Sequence, residues 1–287
     1  MRTIRIPMFL AVALAVVAGS PAGAESQASR VLVSVVDRAG ASVRDLTAGD
    51  FLVKVNDRDA TILDAAPLAE PLSVVVVPEG FSQNIISDAR KTLRGVVTAL
   101  RRHNPDSRVG LMLGEGASTP RMYEVGRQGG DLERQIGRYF ESPTSSPIMD
   151  SILVATQTLS AERHRTRVIL VVSVGGVFQD SLPATRVAKA IYESGASFWA
   201  MDGVRSRPIG ASSARVLAEI SKASGGRHES SSLASLAANT EHMVNDIVSR
   251  YGISFEAAGF RDSAWVAVRR PGLSVTAPVW PAELIGR

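Results

Sequence analysis

Long apolar runs alternate with amphipathic segments through the middle of the chain. Residues 72–77 and 168–174 are apolar and largely β-branched, with a single serine in each run, a pattern typical of strands that are covered on both faces. Between them, residues 86–100 carry apolar side chains at helical spacing, which predicts an amphipathic helix. Strands that alternate with helices predict an α/β fold with a doubly wound, mainly parallel sheet.

The same patterns predict the remaining elements of this central region. Further strands are expected at residues 109–113, 121–125 and 197–201, and further helices at residues 131–139, 147–162, 183–193, 214–223 and 233–250. In a doubly wound sheet, ligands bind at the carboxyl ends of the strands. The loops expected to meet there are residues 78–83, 142–147, 174–181 and 202–212.

Both ends of the chain alternate apolar and polar residues, as half-buried strands do. Such strands are expected at residues 31–37, 51–58 and 60–63, and again at residues 253–256, 263–268 and 273–276. Neither group is large enough to bury a core alone, so we expect the two groups to pack together as a small β-sandwich-like unit. The predicted organisation is a β module at residues 31–66, an α/β domain at residues 70–250 and closing strands at residues 251–282.

The first 24 residues have the pattern of a secretory leader. Arg2 and Arg5 precede an apolar run at residues 6–18, and Ala22 and Ala24 place small residues at the expected cleavage site. We expect cleavage after Ala24 and export to the periplasm or to the outside of the cell. No later run reaches the roughly 18 apolar residues that a membrane span needs, so no span is expected in the processed chain.

Composition excludes several kinds of chemistry. The chain has 287 residues and no cysteine, which rules out disulfides, thiol nucleophiles and cysteine-bound metals. Its four histidines are not spaced as a metal-binding pair on a helix, and we expect no cofactor. The formal net charge is +4, and two positive charges leave with Arg2 and Arg5. A nearly neutral processed chain gives no reason to expect nucleic acid as a partner.

Three stretches give the chain a resemblance to a known family, the exported von Willebrand factor A-related proteins of bacteria. Residues 33–55 resemble the opening module of that family, with a strand, a turn at Gly40 and a Leu-Thr…Asp-Phe segment. Residues 145–152 are similar to its Gly-Thr-Pro-Leu-Tyr-Asp-Ala-Ile loop and helix, and residues 251–276 are similar to its closing strands. The resemblance brackets nearly the whole processed chain and implies a von Willebrand factor A domain in the middle.

The resemblance also implies where a metal site would lie. The domain usually carries a metal-ion-dependent adhesion site, in which Asp-x-Ser-x-Ser, a threonine and a second Asp supply hard oxygen ligands to Mg²⁺. In this chain Pro78 and Gly80 stand at the first Asp and first Ser positions, and Val174 stands at the second Asp position. Ser82 keeps its position and Ser146 replaces the threonine. Two hydroxyls without a carboxylate do not hold a divalent cation, so we expect a degenerate site without metal.

These observations favour a non-enzymatic protein-binding, adhesion or scaffold module. The residues expected to contact a protein partner, whose identity the sequence does not give, are Glu79, Ser82, Ser146 and Asp202. Metal binding through Glu79, which stands next to the first Asp position, is left open as a variant of this hypothesis.

The alternative hypothesis is a divergent α/β hydrolase that uses Ser82 or Ser173 on the same loop face. Gly175, two residues after Ser173, matches the second glycine of a Gly-x-Ser-x-Gly elbow, but Val171 stands where the first glycine would be. His228 and His242 lie downstream as candidate bases, without an orienting acid at a recognisable spacing.

Overall fold

The computed structural model describes most of the chain after the predicted leader. The described residues are 28–79, 86–113, 120–124, 134, 148–162, 166–174, 182–204, 211–256 and 264–285. The predicted leader at residues 1–24 and, apart from Arg134, the predicted helix at residues 131–139 lie outside them. None of the helices in the described ranges is both long enough and apolar enough to cross a membrane.

Strands and helices alternate through the middle of the chain, as the sequence predicts. The strands are β1 (Ala28–Val36), β2 (Phe51–Val55), β3 (Arg58–Asp59), β4 (Ile62–Pro67), β5 (Leu72–Glu79), β6 (Arg108–Leu113), β7 (Arg121–Glu124), β8 (Thr166–Val174), β9 (Ser197–Val204), β10 (His228–Ser232), β11 (Tyr251–Glu256), β12 (Trp265–Val268) and β13 (Ser274–Thr276). The helices are α1 (Ile86–His103), α2 (Ile148–Ser160), α3 (Ala184–Ser194), α4 (Ala211–Ala223) and α5 (Leu236–Val248).

The central sheet has the order β10-β9-β8-β5-β6-β7. All neighbouring strands are parallel except β6 and β7, which pair antiparallel at one edge. Apolar side chains of α1 and α5 pack on one face of the sheet, and those of α2, α3 and α4 pack on the other. The predicted doubly wound, mainly parallel α/β fold is therefore confirmed.

The two ends of the chain form a second unit made of two antiparallel sheets. Their strand orders are β13-β1-β11-β4 and β12-β2-β3, so each sheet combines strands from both ends. Side chains such as Val33, Phe51, Tyr251 and Phe255 meet in a common core between the sheets. This is the β-sandwich-like unit that the alternating end segments predict.

Two sequence-based expectations are wrong in detail. Strand β10 was not expected, because its sequence His-Glu-Ser-Ser-Ser has no apolar residue, and apolar periodicity is what marks a strand. Glu79 and Asp202 were expected in loops, but they lie inside β5 and β9. Both strands continue because β8 runs between them: it pairs with β5 as far as Ser173 and with β9 as far as Val174.

Just before β10, at the edge of the central sheet, the chain passes so close to the main chain of β9 that position 226 requires glycine. A Cβ atom on Gly226 would lie 1.9 Å from the main-chain oxygen of Phe198, the second residue of β9. Main-chain atoms cannot move aside without disturbing the pairing of β9 and β10, so any side chain at this position overpacks the site.

We predict that Gly226→Ala lowers the free energy of unfolding by about 1–3 kcal/mol, because the new methyl group displaces main-chain atoms. Urea denaturation measures the change. Gly95→Ala is the matched control, since no atom lies within 4 Å of a Cβ there and alanine in a helix interior adds up to about 1 kcal/mol of stability. Equal effects of the two substitutions would contradict the prediction.

Candidate functional site

Three polar side chains form a row at the carboxyl end of the central sheet. Glu79 lies directly opposite Ser173, and Ser173 lies directly opposite Asp202, so the row crosses β5, β8 and β9. In each strand the residue two positions earlier packs against α2, α3 and α4. The row therefore continues that face of the sheet above its apolar core, at the edge where ligands bind in doubly wound folds.

The row is buried. Ser173 and Asp202 are 0% and 1% exposed, and Glu79 is 7% exposed. The Ser173 hydroxyl donates a hydrogen bond to Oδ1 of Asp202. Nε2 of His228, at the start of β10, lies 2.6 Å from Oδ2 of the same carboxylate, a distance that fits an Nε2–H donor because an ionised carboxylate only accepts.

Asp202 therefore has both carboxylate oxygens engaged by neighbouring strands. Its partners come from β8 on one side and β10 on the other. A buried carboxylate without partners is strongly disfavoured, so these two hydrogen bonds stabilise Asp202 inside the sheet and link β9 to the end of β8 and to the start of β10. The sequence carried only a weak signal for this cluster: an isolated Asp within the otherwise apolar strand β9.

The structure brings two of the four predicted contact residues into one row. Glu79 and Asp202 both pair with Ser173 and lie on opposite sides of it in the sheet. Ser82 and Ser146 lie outside the described residues. Asp202 is placed as a residue that organises the strand ends, since its oxygens already have partners.

The two positions where the resembling family has acidic ligands hold apolar residues that do not face this row. Val174 packs in the core beneath α1 and α5, and Pro78 pairs with Val172, whose side chain lies in that same core. Within the described ranges, no three His, Asp or Glu side chains are grouped so that they could hold a metal ion.

The geometry around Ser173 differs from that of an activated serine nucleophile. In a Ser-His-Asp triad the histidine lies between the serine and the acid and takes the serine proton. Here Asp202 lies between Ser173 and His228, and Ser173 is fully buried. The Ser173 hydroxyl donates its proton to the Asp202 carboxylate in a hydrogen bond, and its burial leaves no access for a substrate.

Comparison with known proteins supports the fold. No family model and no curated protein matches the chain. A solved structure of a von Willebrand factor type A protein from Catenulispora acidiphila is similar, with 11% identity, a TM-score of 0.50, and 92% of this chain aligned to 77% of that chain. This likeness shows a von Willebrand factor A-like fold and nothing finer.

Two further solved structures align with lower TM-scores. The pilus adhesin SpaC from Lactobacillus rhamnosus GG aligns with 9% identity and a TM-score of 0.49, over 80% of this chain and 47% of that chain. The SpRpn10 VWA domain aligns with 15% identity and a TM-score of 0.45, over 58% of this chain and 95% of that chain.

We predict that the Ser173–Asp202 hydrogen bond appears as a coupling energy in a double-mutant cycle. Asp202→Ala leaves the Ser173 hydroxyl and the His228 ring without a partner and should cost about 2–3 kcal/mol. The double variant with Ser173→Ala should cost at least about 0.5 kcal/mol less than the sum of the single variants.

Free energies of unfolding from urea denaturation measure this cycle. Asp64→Ala, which removes an exposed carboxylate from β4, is the control and should change stability by less than about 0.5 kcal/mol. Strict additivity of the Ser173 and Asp202 substitutions would show that their hydrogen bond contributes nothing.

Proposed function

We propose that this chain is an exported, non-enzymatic protein-binding module of the adhesion or scaffold kind, which uses the carboxyl edge of its central sheet without a metal ion. The observation that carries the proposal is the state of Asp202. Both of its carboxylate oxygens are already engaged by Ser173 and His228. Asp202 therefore holds neighbouring strands together and is not available to a cation. We call the carboxyl edge of the sheet at Glu79, Ser173 and Asp202 the crest.

The carboxyl edge of the sheet, above the buried row, supports a binding surface better than a reaction centre. A rigid sheet with loops at its carboxyl edge positions contact residues with little loss of entropy on binding. We assign contact with the partner to Glu79, which keeps 7% of its surface exposed, and to Ser82 and Ser146, which lie outside the described residues. Asp202 stays a candidate contact residue whose first role in this proposal is to fix the strand ends.

The cellular setting belongs to the same proposal. A charged start, a short apolar run and small residues before position 25 support export. The nearly neutral processed chain favours a protein partner over nucleic acid. We therefore place the module in the periplasm or outside the cell, with a protein partner that the chain itself does not identify.

We predict that substitutions in the row and its loops weaken partner binding. The protein is expressed with its leader, purified after export and used for affinity capture from the native envelope fraction, and each captured protein is then titrated by interferometry. Glu79→Ala, Ser82→Ala and Ser146→Ala should together reduce affinity at least tenfold. Thr98→Ala, at an exposed position in the second half of α1, is the control, and equal losses in both variants would refute a crest interface.

We predict that the purified protein gives no binding heat with Mg²⁺ or Mn²⁺ in titration calorimetry. Two hydroxyls and one carboxylate at best do not offset the loss of the ion's water shell. A binding isotherm that disappears in Glu79→Ala would overturn the metal-free proposal and establish Glu79 as the substitute ligand.

A further inference from the structure

A cleft of about 1080 Å³ lies between the β-sandwich-like unit and the central α/β domain. One wall is built from β12, β13 and the chain after β13, and the other from the end of α4 and the start of β10. Its lining is mostly apolar and includes Trp199, Ala223, Trp265, Val266, Val275 and Val279. A cleft of this size at a boundary between two units is a typical place for a ligand.

Two exposed apolar side chains stand at this cleft. Among the described residues, the large apolar side chains that remain exposed are Leu63, Trp265 and Val279, at 50%, 54% and 55%. Trp265 and Val279 both line the cleft. Large exposed apolar groups that gather at one concave place mark an interaction surface.

Among the strands that the structure describes, β13 and β12 are edge strands of their sheets, and β13 exposes its edge at the cleft. Val275 lies opposite Val35 in the antiparallel pair of β13 and β1. The carbonyl of Val35 accepts from the Val43 N–H at 3.0 Å, so the main-chain groups of Val35 point away from β13. In antiparallel sheets such a pair is not hydrogen bonded, and the N–H and C=O of Val275 therefore point out of the sheet.

The neighbouring strand β12 presents a second open edge at the same wall. Val266 lies opposite Val53 in the pair of β12 and β2, and the Val53 carbonyl accepts from the Ala60 N–H at 2.9 Å. By the same reasoning, the main-chain groups of Val266 point away from β2. Both valines line the cleft, so the cleft offers outward-facing peptide groups as well as apolar surface.

The charges around the cleft nearly cancel. Four of its ionisable side chains have partners: Arg227 and Asp246 pair with each other, Arg227 also with Glu229, Glu219 with Arg215, and His228 with Asp202. Within the described part of the chain, this leaves Lys222 and Glu283 at the lining, one of each sign. The cleft lining carries no net charge that would attract a charged ligand, so charge complementarity favours an uncharged ligand.

We propose that this cleft binds an extended, uncharged and mostly apolar polypeptide segment of a partner protein, which adds as a strand to the open edge of β13. A peptide satisfies the outward main-chain groups and the apolar lining at the same time, whereas a small apolar molecule satisfies only the lining. The site goes beyond the proposed crest interface, because its strand edge belongs to the β-sandwich-like unit.

Val275→Pro is the decisive variant. Proline removes the outward N–H, and the edge tolerates it because that N–H takes no part in pairing with β1. A display library of random twelve-residue peptides is selected on the purified protein, and the enriched peptides are synthesised with a fluorescent label. We expect enriched sequences that alternate apolar residues, and affinities for Val275→Pro at least tenfold weaker than for the original protein.

Backbone and side-chain contributions are separated by matched controls. The same peptides methylated on alternate main-chain nitrogens keep their side chains but lose donors, and they should bind at least tenfold more weakly, which also decides the question if Val275→Pro fails to fold. Trp265→Ala should weaken binding, while Leu63→Ala, which removes an equally exposed side chain from β4, should not.

Three results would overturn the proposal: a selection that enriches no peptide, methylated peptides that bind as tightly as unmethylated ones, or equal losses in Trp265→Ala and Leu63→Ala. Binding that survives methylation would identify an apolar pocket without strand addition. Glu79→Ala should leave the affinity for the selected peptides unchanged, because Glu79 does not line the cleft. The cleft proposal can therefore fail or succeed independently of the crest interface.

Discussion

The antiparallel pairing of β1 with β11 is the constraint on which the rest of the molecule depends. Val31 pairs with Ile253 and Val33 with Tyr251, which joins residues separated by more than two hundred positions. Closing so long a loop costs conformational entropy, and burial of both strands in the sandwich core offsets that cost. The pairing inserts the whole α/β domain between two strands of one sheet, so the sandwich core requires both ends of the chain.

This arrangement gives the molecule two polar features with opposite physical character. At the crest, Asp202 is buried and both of its oxygens have partners, which favours one fixed arrangement of strand ends. At the cleft, the main-chain groups of Val275 point outward beside exposed Trp265. The first feature stabilises the fold. In the second, the N–H and C=O of Val275 take no part in pairing with β1.

Sequence patterns predicted the central sheet because its strands are nearly pure apolar runs, and they predicted the sandwich because the end segments alternate. They failed for β10, whose serines place no apolar side chain on either face. They also placed Glu79 in a loop, since the apolar run ends at Val77, although β5 pairs with β8 through Glu79. The contact between Asp202 and His228 could not be predicted, because β10 itself was not.

The cleft lay beyond sequence reasoning for a different reason: it arises from how two units are placed against each other. His228 connects it to the crest, because the residue lines the cleft while its ring holds Asp202. A ligand that displaced the ring would leave a buried carboxylate with one partner fewer, at a cost of about 1–3 kcal/mol. The proposed peptide would therefore bind better against the exposed side chains of Trp265 and Val279 than against the His228 ring.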